Sequence, residues 1–79
     1  MIDNTIELVK KIINEVLVEN GLELDVLYPE TKILKDTQLD SMGLAIVVSK
    51  LEEKTGLDPF VGGFIQFNTV KELAKLYGK

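Results

Sequence analysis

Few residues in this chain could do chemistry, and the ones that stand out are Asp40 and Ser41, side by side near the middle of the sequence. A serine hydroxyl is a poor nucleophile until a base takes its proton, and the chain has no His and no Cys to act as that base or as a thiolate. The same absences exclude an imidazole or thiolate metal site, a disulfide framework, and a Ser-His-Asp or Cys-His catalytic set. No catalytic residue and no metal ligand set can be named from the sequence, so any reactive group must come from outside. A helix starting at Ser41 would tolerate a phosphate, because free amides and the positive end of the helix dipole face that position. Asp40 suits either a helix cap or a ligand for a metal carried by an incoming enzyme. Taken alone, Ser41 reads as a capping residue.

The elements that must position this pair are helices. Residues 4 to 20 carry Ile6, Val9, Ile13, Val16 and Leu17 at intervals of one helical face, with Asn4 and Glu7 as the opening cap and Asn20-Gly21 as the stop. A second helix fits residues 41 to 55, opened by Asp40-Ser41 and closed by Gly56. Thr69-Val-Lys-Glu72 is a capping box for a last helix ending near Leu76 or Tyr77. Asp58-Pro59 can start one short helix, which puts Phe60, Phe64 and Phe67 on one side and is limited by Gly62-Gly63. Residues 21 to 40 alternate like a strand at Leu22, Leu24 and Val26 but have no partner of the same kind, so they read as a long loop. Leu24, Leu27, Ile33, Leu34 and Leu39 are the expected anchors of that loop. The fold class is all-α, a small four-helix bundle of three main helices and one short one, with a long first loop.

The second helix has more apolar residues than one buried face needs. Leu44, Val47, Val48 and Leu51 form a stripe sufficient for the core, while Met42, Ala45, Ile46 and Ser49 form another. The second stripe reads as a partner surface beside Glu52 and Glu53, or as core beneath a covering loop. Gly43 costs about 1 kcal/mol relative to alanine within a helix. It is either simply tolerated or leaves room for something bulky at the helix start.

Seventy-nine residues allow one domain, residues 1 to 79, with a single hydrophobic core. Nine lysines against 13 acids give a net charge of -4, the wrong sign for nucleic acid, and no Arg is present to read a base. Eight of the acids fall in residues 21–60, which would steer a basic partner to the middle of the chain. The longest apolar run, Leu44 to Val48, is far too short to span a membrane, and the start has no leader-like pattern. A monomer in the cytoplasm is expected, and Met1 with the Gly78-Lys79 end favours a free-standing protein.

Leu39-Asp40-Ser41-Met42-Gly43-Leu44, followed by Leu51-Glu52-Glu53 and by Thr69-Val70 at the last helix, resembles the acyl carrier proteins and related phosphopantetheine carriers. The resemblance covers nearly the whole chain. It implies that a phosphopantetheinyl transferase, with a divalent metal, moves the 4'-phosphopantetheine arm of coenzyme A onto Ser41, and that Asp40 contacts the transferase or its metal. Acyl intermediates would then be held as thioesters and passed among acyl-loading, modifying and acyl-transfer enzymes of fatty acid, polyketide or other specialised acyl-lipid biosynthesis. The chain would be their substrate and shuttle, without turnover of its own. Met42, Ala45, Ile46, Glu52 and Glu53 would form the partner-recognition surface. An apolar interior bounded by Leu44, Val48, Phe64 and Tyr77 would admit the acyl chain.

The sequence departs from the family pattern in four places. Thr37-Gln38 replace a frequent Leu-Gly, Gly43 and Ile46 stand where fatty acid carriers often have acids, and residues 59 to 70 carry no charge. These departures favour a dedicated partner set with a more hydrophobic contact. Asp-Ser-Met-Gly also looks like carriers of D-alanine, so an aminoacyl or peptidyl carrier is the alternative. A small helical interaction module, with Ser41 as a plain cap, is the remoter one.

Overall fold

The computed structural model describes residues 2–78, and the side chains of residues 4–78. Four helices follow one another: α1 (Ile2–Glu19), α2 (Ile33–Asp36), α3 (Ser41–Thr55) and α4 (Val70–Tyr77). No strand occurs among the described residues, so the all-α expectation holds.

Helix α1 is the spine, packing against both α3 and α4. Its inward face buries Ile6, Val9, Ile12, Ile13, Val16 and Leu17. The helix starts at Ile2, so Asn4 lies inside its first turn and is not the expected cap. At the other end Gly21 takes a φ of 79°, the left-handed conformation that suits glycine. Leu22 N–H then reaches the carbonyl of Leu17 at 2.8 Å and Gly21 N–H that of Val18 at 3.0 Å, the paired bonds that close a helix.

The long connection is held at two points. The Asn14 side chain donates to the Asp25 carbonyl at 3.1 Å and accepts from the Asp25 amide at 2.9 Å. Further on, Lys32 and Thr69 form an isolated antiparallel bridge. Ile33 N–H donates to the Asn68 carbonyl at 2.8 Å and Val70 N–H to that of Thr31 at 3.0 Å. Leu27, Ile33 and Leu39 are buried as anchors, whereas Leu24 and Leu34, expected to join them, face solvent. The bundle's short helix is α2, inside this connection. None forms at Asp58-Pro59, where turns occupy the chain instead. Asp58 Oδ1 accepts the Phe60 amide at 3.2 Å, and Gly63 with a φ of 130° takes the backbone out of helical range.

Candidate functional site

The start of α3 is built by Asp40, Leu39 and Gly43. Asp40 has an extended backbone and its Oδ1 accepts the Gly43 amide at 2.7 Å, which makes Asp40 the cap. Leu39 is buried just before it and fixes the approach of the chain. A Cβ on Gly43 would lie 2.7 Å from Leu39 Cδ1 and 3.2 Å from Asp40 Oδ1. Gly43 is therefore room for the protein's own Leu39 and cap carboxylate, which replaces the idea that it clears space for an outside group. Ser41 is the first helical residue, exposed, and its hydroxyl makes no hydrogen bond to the described residues. A capping role for Ser41 is thus overturned, because Asp40 fills it.

The two apolar stripes of α3 separate as follows. Val47 and Leu51 are fully buried, but Leu44 and Val48 are only partly so: both line a surface groove, and Leu44 also packs against the core. Met42 is 75% exposed and Ile46 38% exposed, so no loop covers the second stripe. Around it the stripe divides. Met42 and Ile46, with Asp40, Gln38 and Leu22, line one groove, while Ala45 lines another with Ser41. Glu53 is exposed on the helical row of Met42 and Ile46. Glu52 is turned elsewhere, since its neighbours are Asp58 and Tyr77. Partial burial, then the Asp58 carboxylate, raise the Glu52 carboxyl above its usual value.

The groove at Ser41 has a volume of about 310 Å³ and lies between α3 and the connection that follows it. Leu44, Ala45 and Val48 line it from the helix, and Phe60, Phe64 and Phe67 from the connection. The three rings contact one another, with centroids 5.7 to 6.1 Å apart, and Phe60 and Phe64 stack at 13°. This is an open groove rather than an enclosed interior, since Phe64 is 78% exposed. Tyr77 takes no part in it. That side chain is core, 4% exposed, and its buried hydroxyl has no hydrogen-bond partner among the described residues. Burial, then the nearby Glu52 and Asp58, push the Tyr77 hydroxyl up to about 12.

Sequence reasoning found the start of α3 and its second stripe, whose exposure it left open, but missed Phe60 and Phe67 as groove residues, having linked only Phe64 with a cavity. Their shared spacing was the available signal. Among the described residues no group of three or more acids is gathered as a metal site. Among the described residues no helix is long and apolar enough to cross a membrane.

The start of α3 thus presents an exposed hydroxyl, next to an exposed apolar stripe, with no His in the chain to activate it. The family model for the phosphopantetheine attachment site matches residues 7–77, and the chain belongs to that family. No curated protein and no solved structure matches it. Members carry covalently attached 4'-phosphopantetheine, and a carrier domain of this kind is a substrate of phosphopantetheinyl transferase and meets further partner enzymes. The start of α3 suits such an attachment. An exposed hydroxyl stands on the first helical residue, and the capping carboxylate is already satisfied by Gly43.

Proposed function

We propose that Ser41 is the attachment residue and that the chain is an acyl carrier, one unit over residues 1–79, acting as a monomer in the cytoplasm. The observation that carries this reading is the division of labour at α3: Asp40 caps the helix and leaves the Ser41 hydroxyl exposed and unbonded. Ser41 Oγ forms a bond to the phosphorus of the phosphopantetheine half of coenzyme A as the bond to the adenosine bisphosphate leaving group breaks. The hydroxyl proton goes to a base on the transferase, since no His stands in this chain. Once attached, 4'-phosphopantetheine supplies a thiol on which acyl groups are held as thioesters. Asp40, exposed beside Ser41, faces the incoming transferase or its metal.

Met42 and Ile46, flanked by Glu53, form the docking surface, and their exposure supports that role. Ala45 borders it on the side of the Ser41 groove, and Glu52, further along α3 and turned toward Asp58, would extend it there. The pathway remains within fatty acid, polyketide or specialised acyl-lipid biosynthesis. An acyl cargo is favoured over an aminoacyl one by the groove next to Ser41, whose side chains from Leu44 to Phe67 include no carboxylate to meet an ammonium.

Intact mass after incubation with coenzyme A, magnesium and a broad-specificity phosphopantetheinyl transferase tests the attachment. One phosphopantetheine is expected on the wild type and none on Ser41→Ala. An equal gain on the variant would move the site elsewhere, and no gain on either, in a tube where another carrier is modified, would remove the carrier reading.

A further inference from the structure

The groove at Ser41 does not end among the phenylalanines. Leu44 and Phe67 line it and also line a second groove, of about 300 Å³, whose other walls are Ile33 and Leu34 of α2, Asn68 and two lysines, Lys32 and Lys35. The two grooves adjoin at Leu44 and Phe67, so the apolar stretch beside Ser41 borders a groove that Lys32 and Lys35 help to line. Neither ammonium has a carboxylate within 4.0 Å among the described residues. The nearest acid in sequence, Asp36, is bonded instead through Oδ2 to the Lys32 backbone amide at 3.0 Å. In a chain of net charge -4, two uncommitted lysines beside an apolar groove are a local reversal of sign.

Resting on the carrier reading above, we infer that this pair of grooves accepts an acyl cargo with an apolar body and an anionic far end, such as a carboxylate, and disfavours one ending in an ammonium. The apolar body lies against Leu44, Phe64 and Phe67, where its transfer from water is favourable. Lys32 and Lys35 meet the anionic end. They also repel a free amine, which sets this cargo apart from an aminoacyl group. Because Lys32 and Lys35 are exposed, the charge preference weakens with salt.

The test loads the whole chain, by the same transferase, from hexanoyl-, adipoyl- and 6-aminohexanoyl-coenzyme A. Loss of each thioester to a small neutral thiol is then followed by mass spectrometry. Cargo seated in the groove is shielded from exchange. Adipoyl is expected to exchange about three- to tenfold more slowly than hexanoyl, the range of one or two exposed ion pairs, and 6-aminohexanoyl fastest. In Lys32→Gln/Lys35→Gln the adipoyl advantage should vanish while hexanoyl exchange stays unchanged. Phe64→Ser, at an exposed position, should speed both. Equal exchange of adipoyl and hexanoyl in the wild type, or an adipoyl advantage that survives in the lysine variant, overturns the inference and leaves the carrier reading intact. Failure of all three to load Ser41, where another carrier is loaded in the same tube, overturns both.

Discussion

Helices α3 and α4 both begin at a hydroxyl residue with a carboxylate nearby, yet the two starts distribute their duties in opposite ways. At α4 the Thr69 hydroxyl accepts the Glu72 amide at 3.1 Å, and Glu72 Oε1 accepts the amides of Thr69 at 3.1 Å and Asn68 at 2.7 Å. The hydroxyl and the carboxylate at that end both serve the fold. At α3 the carboxylate moves one place ahead of the hydroxyl and takes the capping bond itself, so Ser41 is left free. A start that uses its hydroxyl locks a helix, and one that spares it leaves an unbonded hydroxyl on a rigid support.

The sharpest way to break this comparison is to remove each hydroxyl. Ser41→Ala is expected to lose all arm attachment with stability changed by no more than about 0.5 kcal/mol, as for a surface position with no partner. Thr69→Ala should keep full attachment and lose about 1 kcal/mol with its cap. Thermal melts beside intact mass measure both. A large fall in the melting midpoint of Ser41→Ala would mean that its hydroxyl serves the fold after all.

A smaller effect is expected one turn further along α3. Ile46→Glu should raise the KM for the transferase about fivefold or more, in the range of an interface contact worth about 1 kcal/mol. Its melting midpoint should change little, because Ile46 is an exposed neighbour of the fully buried Val47. A steep loss of stability would place Ile46 in the core and remove it from the docking surface.

The smallest effects are electrostatic and of opposite sign at the two helices. The amides of Asn68, then Thr69, hold the Glu72 carboxyl below its ordinary value. Its contribution is therefore fully present above the unfolded value, about 4.3, and is lost as pH falls through the lower folded one. Glu52, raised by burial and by Asp58, opposes folding when ionised and ceases to do so as it gains a proton. Melting curves from pH 7 down to pH 3 should show Glu72→Gln destabilised at pH 7, the difference closing in acid. Glu52→Gln should be more stable than wild type at pH 7, with that gain also closing in acid. A matching sign for the two variants at pH 7 would show that the carboxylates do not differ as described.

The limits of α3 and α4 were legible in the sequence because local bonds set them: Asp40 to Gly43, Thr69 to Glu72, and Gly56 in the left-handed conformation with a φ of 72°. The second stripe was legible as a surplus over Leu44, Val47, Val48 and Leu51, but the sequence left open whether it faced a partner or lay beneath a loop. What escaped depends on partners distant in sequence. Helix α2 spans only four residues and is held by the bridge to Thr69, which no periodicity announces. Asn4 looked like a cap because its type and the position of Glu7 fit, yet α1 extends back past it to Ile2. The turn after Pro59 satisfied the pattern of a helix start, but Gly63 left helical geometry before a helix formed. Leu24 and Leu34 are as apolar as the true anchors, and only the course of the backbone leaves them outside.

The bridge between Lys32 and Thr69 also has a mechanical meaning. It fastens together the two ends of the chain that leads out to α3 and back, so everything from α2 to the phenylalanine connection is an excursion pinned at its base. The contact of α1 with α4 lies outside that pin. The same excursion is also held by the core, since α3 packs on α1 and buries Val47 and Leu51. The bridge therefore fixes where the chain leaves for α3 and where it returns, and the core fixes what lies between.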